Sequence, residues 1–158
     1  MTGEEFAAKV GEMRSVLYRI CCVQLQNPSD REDAIQEAIF KAWKKRASLR
    51  EPKYFGTWFI RILINECHAV QRRRKRLISL ENIPEGAGSG GFAHLDLQMS
   101  LAMLEEKQRI CVLLYYIEGY SVREVSQMLG IGESAVKTRL MRGRKRLKEL
   151  LSEEVFDR

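Results

Sequence analysis

Between Glu85 and Gly91 the chain holds four glycines and a serine, with nothing that could build a core. Glycine visits both signs of φ freely and loses the most entropy on ordering, so the stretch reads as a flexible linker. It lacks the Gly-Lys-Ser/Thr ending of a phosphate-binding loop. A chain of 158 residues interrupted here is expected to form two small domains, 1–78 and 96–158, joined by a linker over 79–95. Surface-to-volume scaling leaves cores of that size marginal, which points to partners.

The segments on either side are helical in pattern. Pro is rare and no apolar–polar alternation suggests a strand, so the expected class is all-α. A first helix is expected over about 4–26, because Phe6, Val10, Met13, Leu17 and Ile20 fall on one stripe. Asn27–Asp30 breaks it, with Ser29 or Asp30 as cap for a second helix over 31–46. Pro52 and Gly56 punctuate a connector, and a third helix follows over 57–76. Beyond the linker, helices are expected over 97–104 and 106–118, then a short pair over 120–151.

Charge narrows the partners. The net charge is +6, which suits a polyanion such as nucleic acid or an anionic surface. It is focused: Arg72–Arg76 holds five basic residues and Glu133–Lys148 seven. The N-terminus is acidic where a signal peptide needs bases, and the apolar run Cys111–Ile117 is far too short for a span. A soluble intracellular protein without direct membrane insertion is expected. Cys21, Cys22, Cys67 and Cys111 form no CxxC pair and read as buried reduced thiols.

The segment YSVREVSQMLGIGESAVKTRLMRGRKRL, 120–147, carries the most specific signal. Ser121 and Glu124 have capping-box spacing. Val122, Val125 and Leu129 share a side, and Gly130 is placed for a left-handed helix end. Glu133 suits the start of the next helix. At 100° per residue, Val136, Leu140, Gly143, Leu147, Leu150 and Leu151 fall within about 60° of one direction. Ser134, Thr138, Met141, Lys145 and Lys148 lie opposite, with Lys137 and Arg142 on the shoulders. Such a pair fits a helix-turn-helix, whose second helix offers side chains to base edges in the major groove. A basic helix that merely solvates its outer face is the plainer reading.

Two further patterns stand in the first half. Along YFGTWFIRILINECHAVQRRRKR, 54–76, an otherwise apolar helix carries Arg61, Asn65, His68 and Arg72 at i, i+4, i+7 and i+11. With Trp58 a turn ahead, Tyr54 or Phe55 exposed before it and a basic end, this line suits unpaired bases and their phosphates. The alternative is a core tryptophan and a solvated basic run. In DREDAIQEAIFKAWKK, 30–45, Ile35, Ala38, Ile39 and Ala42 make an expected inner face. Gln36, Phe40, Trp43 and Lys44 lie off it, as a docking patch or as aromatics half-covered by the first helix.

Together these segments resemble the extracytoplasmic-function sigma factors of bacterial RNA polymerase. DAIQEAIFKAW is similar to the family's D-x-x-Q-E-x-F motif, Ile39 standing where Phe is usual. The resemblance implies that Asp33, Gln36, Glu37, Phe40, Lys41 and Trp43 meet the clamp helices of the polymerase β′ subunit. FGTWFIRILINECHAVQRRRKR is similar to the promoter-melting segment. It implies −10 element contacts from Tyr54, Phe55, Trp58, Arg61, Asn65, His68 and Arg72, with Asn65 lining the pocket for a flipped base. The last segment is similar to region 4. It implies that Ser134, Lys137, Thr138 and Arg142 face the −35 element, Arg139 holds backbone, and the domain meets the flap of the β subunit. Ser126 replaces a customary Ala, Gly132 a Pro or Ser, and Gly143 an Ala.

The function this implies is that of an alternative sigma factor, which binds core polymerase and directs promoter-specific initiation in the cytoplasm. An anti-sigma factor is an implied partner; one anchored in the membrane would hold the protein near it. A stand-alone helix-turn-helix regulator of duplex DNA is the alternative. A DNA-processing enzyme has little to work with: two histidines, His68 and His94, no carboxylate cluster and no nucleophile motif. No cofactor or metal is expected.

Overall fold

The computed structural model describes the backbone of residues 1–81 and 95–156, and the side chains of residues 1–77 and 99–151. No strand occurs among them. The chain divides into two compact units, Met1–Gly91 and Phe92–Arg158. Most of the expected linker, 79–95, lies outside the described residues. Its first residues continue a helix that ends at Glu81, and Leu95 already begins the next.

Among the described residues the first unit holds four α-helices: α1 (Gly3–Glu12), α2 (Arg14–Gln24), α3 (Pro28–Lys44) and α4 (Phe55–Glu81). The single helix expected over 4–26 is therefore two. The Met13 N–H closes a short turn onto the Val10 carbonyl at 3.1 Å, and Gly11 just before it weakens the helix locally. Thr2 and Glu5 form a capping box at the start of α1. Asn27, not Ser29 or Asp30, caps α3: its Oδ1 accepts from the Ser29 N–H at 2.8 Å. Pro28 then takes the first helical position, where a missing N–H costs nothing.

The inner face of α3 also differs from expectation. Arg31, Ala34, Ala38 and Ala42 are buried, while Ile35 and Ile39 are half-buried. Small buried side chains such as these suit close helix packing, since interaxial distance follows side-chain size at the contact, and α3 packs against both α4 and α2. Arg31 is no liability there. Its Nε donates to the Leu25 carbonyl at 2.8 Å, satisfying a backbone group at the end of α2. Phe59, Ile60, Leu63, Ile64 and Cys67 of α4 complete the core. Cys21, Cys67 and Cys111 are buried free thiols and Cys22 is half-buried; the Cys21 and Cys67 sulfurs touch at 3.9 Å.

The second unit comprises α5 (Leu95–Ala102), α6 (Glu106–Val112), a π-helical turn (Leu113–Ile117), α7 (Val122–Leu129) and α8 (Glu133–Phe156). The helix expected over 106–118 widens into that turn, the Glu118 N–H reaching the Leu113 carbonyl at 2.9 Å. The capping box at Ser121 and Glu124 is present, and Gly130 is left-handed at φ 68°. Met128, not Val122 or Leu129, joins Val125 as the buried pair of α7. Along α8, Val136, Leu140 and Gly143 are buried and Leu147 and Leu150 half-buried. Leu151 is half-exposed, because it lies at the edge of the buried arc.

Gly143 is more than a weak helix former. A Cβ there would stand 2.8 Å from Val112 Cγ2 and 3.6 Å from Gln108 Cβ. The glycine lets α8 lie against α6, and its helical cost of up to about 1 kcal/mol is offset by that contact. Gly143→Ala should destabilise the protein by about 1–2 kcal/mol, because overpacking typically costs about 1–3 kcal/mol and the helix regains less. Val112→Ala in the same chain should relieve the clash. Urea unfolding of the two single variants and the double variant measures this as a favourable coupling; strictly additive effects would show that the contact imposes no strain.

Candidate nucleic-acid interface

The turn between α7 and α8 fixes where α8 points. The Gly130 and Ile131 N–H groups both donate to the Ser126 carbonyl, at 2.9 and 3.2 Å. The Ser126 hydroxyl donates in turn to the Ile131 carbonyl. The serine that replaces a customary alanine thus ties the turn from both sides. Beyond it, Ser134, Lys137, Thr138 and Arg142 are all exposed, with Met141, Arg144, Lys145, Arg146 and Lys148 beside them. Thr138 Oγ1 donates to the Ser134 carbonyl at 3.0 Å, leaving its oxygen free to accept.

Arg139 differs from its neighbours. It lies about 60° from the centre of the buried arc and is half-buried. Its guanidinium lies near the Cys111 thiol. Burial raises the Cys111 thiol above its ordinary range, and the Arg139 charge partly opposes that. Arg144 Nη1 donates to the Tyr116 hydroxyl at 2.7 Å, tying the middle of α8 to the π-helical turn.

In the first unit, α4 buries one face and presents the other. Arg61, Asn65 and Arg72 are exposed and His68 is half-buried, along a single line. Arg73, Lys75 and Arg76 extend the exposed basic end. Arg74 turns inward, its Nε 2.7 Å from Asp30 Oδ2 on α3. Ahead of this line Tyr54 is 54% exposed and Trp58 is half-buried. Phe55 is buried, contrary to its expected place on a stacking surface. As the first residue of α4 it points into the core, with its ring 5.6 Å from that of Phe59.

The outer face of α3 carries Asp33, Gln36, Glu37 and Phe40, all exposed, with Lys44 4.5 Å over the Phe40 ring. A groove beside it, between α1, α2 and α3, is lined by Val10, Arg14, Tyr18, Glu32, Gln36 and Ile39. Two residues expected on this patch turn elsewhere. Lys41 is ion-paired with the buried Glu66 of α4. Trp43 is half-buried, edge-on to Phe6 with centroids 5.2 Å apart. Among the described residues no three of His, Cys, Asp and Glu converge where a metal could be held. No helix among them is long and apolar enough to cross a membrane.

The chain matches the sigma-70 region 2 family over residues 9–77 and the sigma-70 region 4 family over residues 94–147. It is 31% identical over 139 positions to the ECF RNA polymerase sigma factor SigM of Mycobacterium tuberculosis strain H37Rv, covering 85% of this chain and 71% of that one. The chain belongs to the ECF RNA polymerase sigma factors. SigW of Bacillus subtilis strain 168 is 28% identical over 169 aligned positions, covering 94% of this chain and 89% of SigW. Among solved structures, the sigma factor RpoE of Bartonella quintana, bound to the anti-sigma factor NepR, superimposes with a TM-score of 0.82. It is 26% identical, over 94% of this chain and 98% of that one.

Within this sigma factor, sequence periodicity missed two buried residues that support the exposed lines, Arg31 and Glu66, and placed Gly143 on the buried side without showing the close approach it permits. Buried polar groups and close backbone approaches leave no periodic mark. Whether an aromatic is surface or scaffold is likewise decided by its neighbours. Phe40→Glu should leave stability within about 0.5 kcal/mol of the parent, as exposed substitutions do. Trp43→Ala should cost about 2 kcal/mol or more, short of the full penalty for a wholly buried ring. Chemical denaturation of both variants distinguishes the two roles.

Proposed function

We propose that this protein is an alternative sigma factor that acts by binding rather than by catalysis, in the cytoplasm. Its first unit docks on core RNA polymerase through the outer face of α3, with the adjoining groove receiving part of the polymerase. Its second unit grips duplex DNA at the −35 element through Ser134, Lys137, Thr138 and Arg142. The polar line of α4, with Tyr54 and Trp58, captures non-template bases of the −10 element as the duplex opens. The single observation that carries this reading is the pairing, in one chain, of a helix-turn-helix with a buried helix whose outward line is polar and basic.

The energetics allow opening without ATP. Separating a stacked step costs roughly 1.4 kcal/mol, and a base stacked on an aromatic side chain returns about 1–3 kcal/mol. A few captured bases therefore offset much of the melted segment, provided polymerase holds the protein in register. The residues on α8 hold the upstream duplex and gain from counterion release. Arg139, half-buried beside the outward face, contributes phosphate contact rather than base readout. An anti-sigma factor is the further partner, supported by the likeness to RpoE in its complex with NepR. It competes for the polymerase- and DNA-binding faces.

One reconstitution tests the whole reading. Purified protein added to core polymerase should initiate at discrete start sites on a promoter library. Binding of duplex DNA without any effect on polymerase would instead identify a stand-alone regulator. In the same system, Lys137→Ala with Arg142→Ala should weaken upstream protection. The pair should also flatten the salt dependence, by about one unit of slope for each phosphate that is no longer neutralised. Asn65→Ala should leave closed complexes intact and lower permanganate reactivity of −10 thymines. Phe40→Glu should reduce affinity for core polymerase.

A further inference from the structure

Phe6, on α1, lines the groove beside α3, and it also touches both ends of the segment that leads into α4. Its ring meets Trp43, in the last turn of α3, edge-on with centroids 5.2 Å apart. It also meets Phe55, the first residue of α4, edge-on at 5.8 Å. One side chain therefore brackets the connector between α3 and α4. Lys9, one turn along α1, lies 5.7 Å from the Phe55 centroid. Arg46 covers Trp43 at 3.7 Å and donates to its carbonyl at 2.8 Å. The backbone of α1 comes close as well, since a Cβ on Gly3 would stand 3.6 Å from Trp43 Cη2.

The connector has only two single-turn 3-10 elements of its own, Arg46–Ser48 and Pro52–Tyr54. Its position must be set largely at its ends. From there the chain of touching rings runs outward: Phe55 lies 5.8 Å from Trp58, and the exposed Tyr54 immediately precedes it. Holding these rings in place beforehand spares the ordering entropy that a loose loop would lose on meeting a base.

We infer that Phe6 is a positioning residue for promoter opening: α1, through its contacts with Trp43 and Phe55, presets Tyr54 and Trp58 for base capture. α1, besides walling the groove beside α3, thus governs how readily the duplex opens. This rests on the assignment of α4 and its connector to base capture.

The test uses full-length protein with core polymerase on one promoter, comparing Phe6→Leu and Phe6→Ala with Ile20→Ala. Ile20 is fully buried on α2 and makes none of these ring contacts, so its variant reports general loss of stability. Two aromatic contacts correspond to an effect on the order of tenfold, so with core polymerase at saturation Phe6→Leu should lower the fraction of open complexes by about that factor, beyond any loss of core affinity, while upstream protection changes less than about twofold. Ile20→Ala should lower opening only in proportion to its loss of core binding. Should Phe6→Ala fail to fold, Phe6→Leu alone decides, because it keeps the apolar volume. Opening by Phe6→Leu equal to the parent, or falling only in step with core affinity, overturns the inference. A parent protein that opens promoters while Asn65→Ala and Tyr54→Ala open equally well overturns instead the assignment of α4 on which it rests.

Discussion

Each unit depends on helices meeting where side chains are small. In the first, the buried positions of α3 include Ala34, Ala38 and Ala42, on a helix that packs against α4 and α2. In the second, Gly143 brings α8 against α6 so tightly that a methyl group would strike Val112. Close approach at these points confines burial to one narrow stripe of each long helix. The remaining circumference can then carry charge and hydrogen-bonding groups without threatening the core. Larger residues at the crossings would push the helices apart and open gaps, which interiors packed at crystal density tolerate poorly.

That economy explains how so small a protein serves several surfaces. α3 has an inner face of alanines and an outer face with Asp33, Gln36, Glu37 and Phe40. α4 buries Phe59, Leu63 and Cys67 and presents Arg61, Asn65 and Arg72. The two helices are locked in rotation by polar ties, Lys41 to Glu66 and Asp30 to Arg74. Removing Lys41 would be costly, since the buried Glu66 carboxylate would be left uncompensated. These ties fix which side of α4 faces outward more firmly than apolar packing alone would.

Much of this is legible in the sequence, unevenly. The capping box at Ser121, the left-handed Gly130 and the buried direction of Val136 and Leu140 follow from strictly local rules, and they hold. The polar line on α4 is legible because twelve residues of helix, Arg61 to Arg72, keep a clean period. Tertiary neighbours decide the rest. Phe55 reads as a connector aromatic but begins α4 and turns inward. Lys41 and Trp43 read as surface until Glu66 and Phe6, distant in sequence, claim them. The break at Met13 and the cap at Asn27 depend on single hydrogen bonds that propensity resolves poorly. The roles of Gly143 and Ser126 require knowing what lies opposite them.

Ser126 has a wider consequence. By fastening the turn through its own hydroxyl and carbonyl, it makes the orientation of α8 independent of the side chains that α8 shows to solvent. Ser134, Lys137 and Arg142, all exposed, can therefore be exchanged without disturbing the interior, whereas the half-buried Arg139 has less freedom. Three positions of the outward face can vary like movable type while the frame beneath them stays as it is.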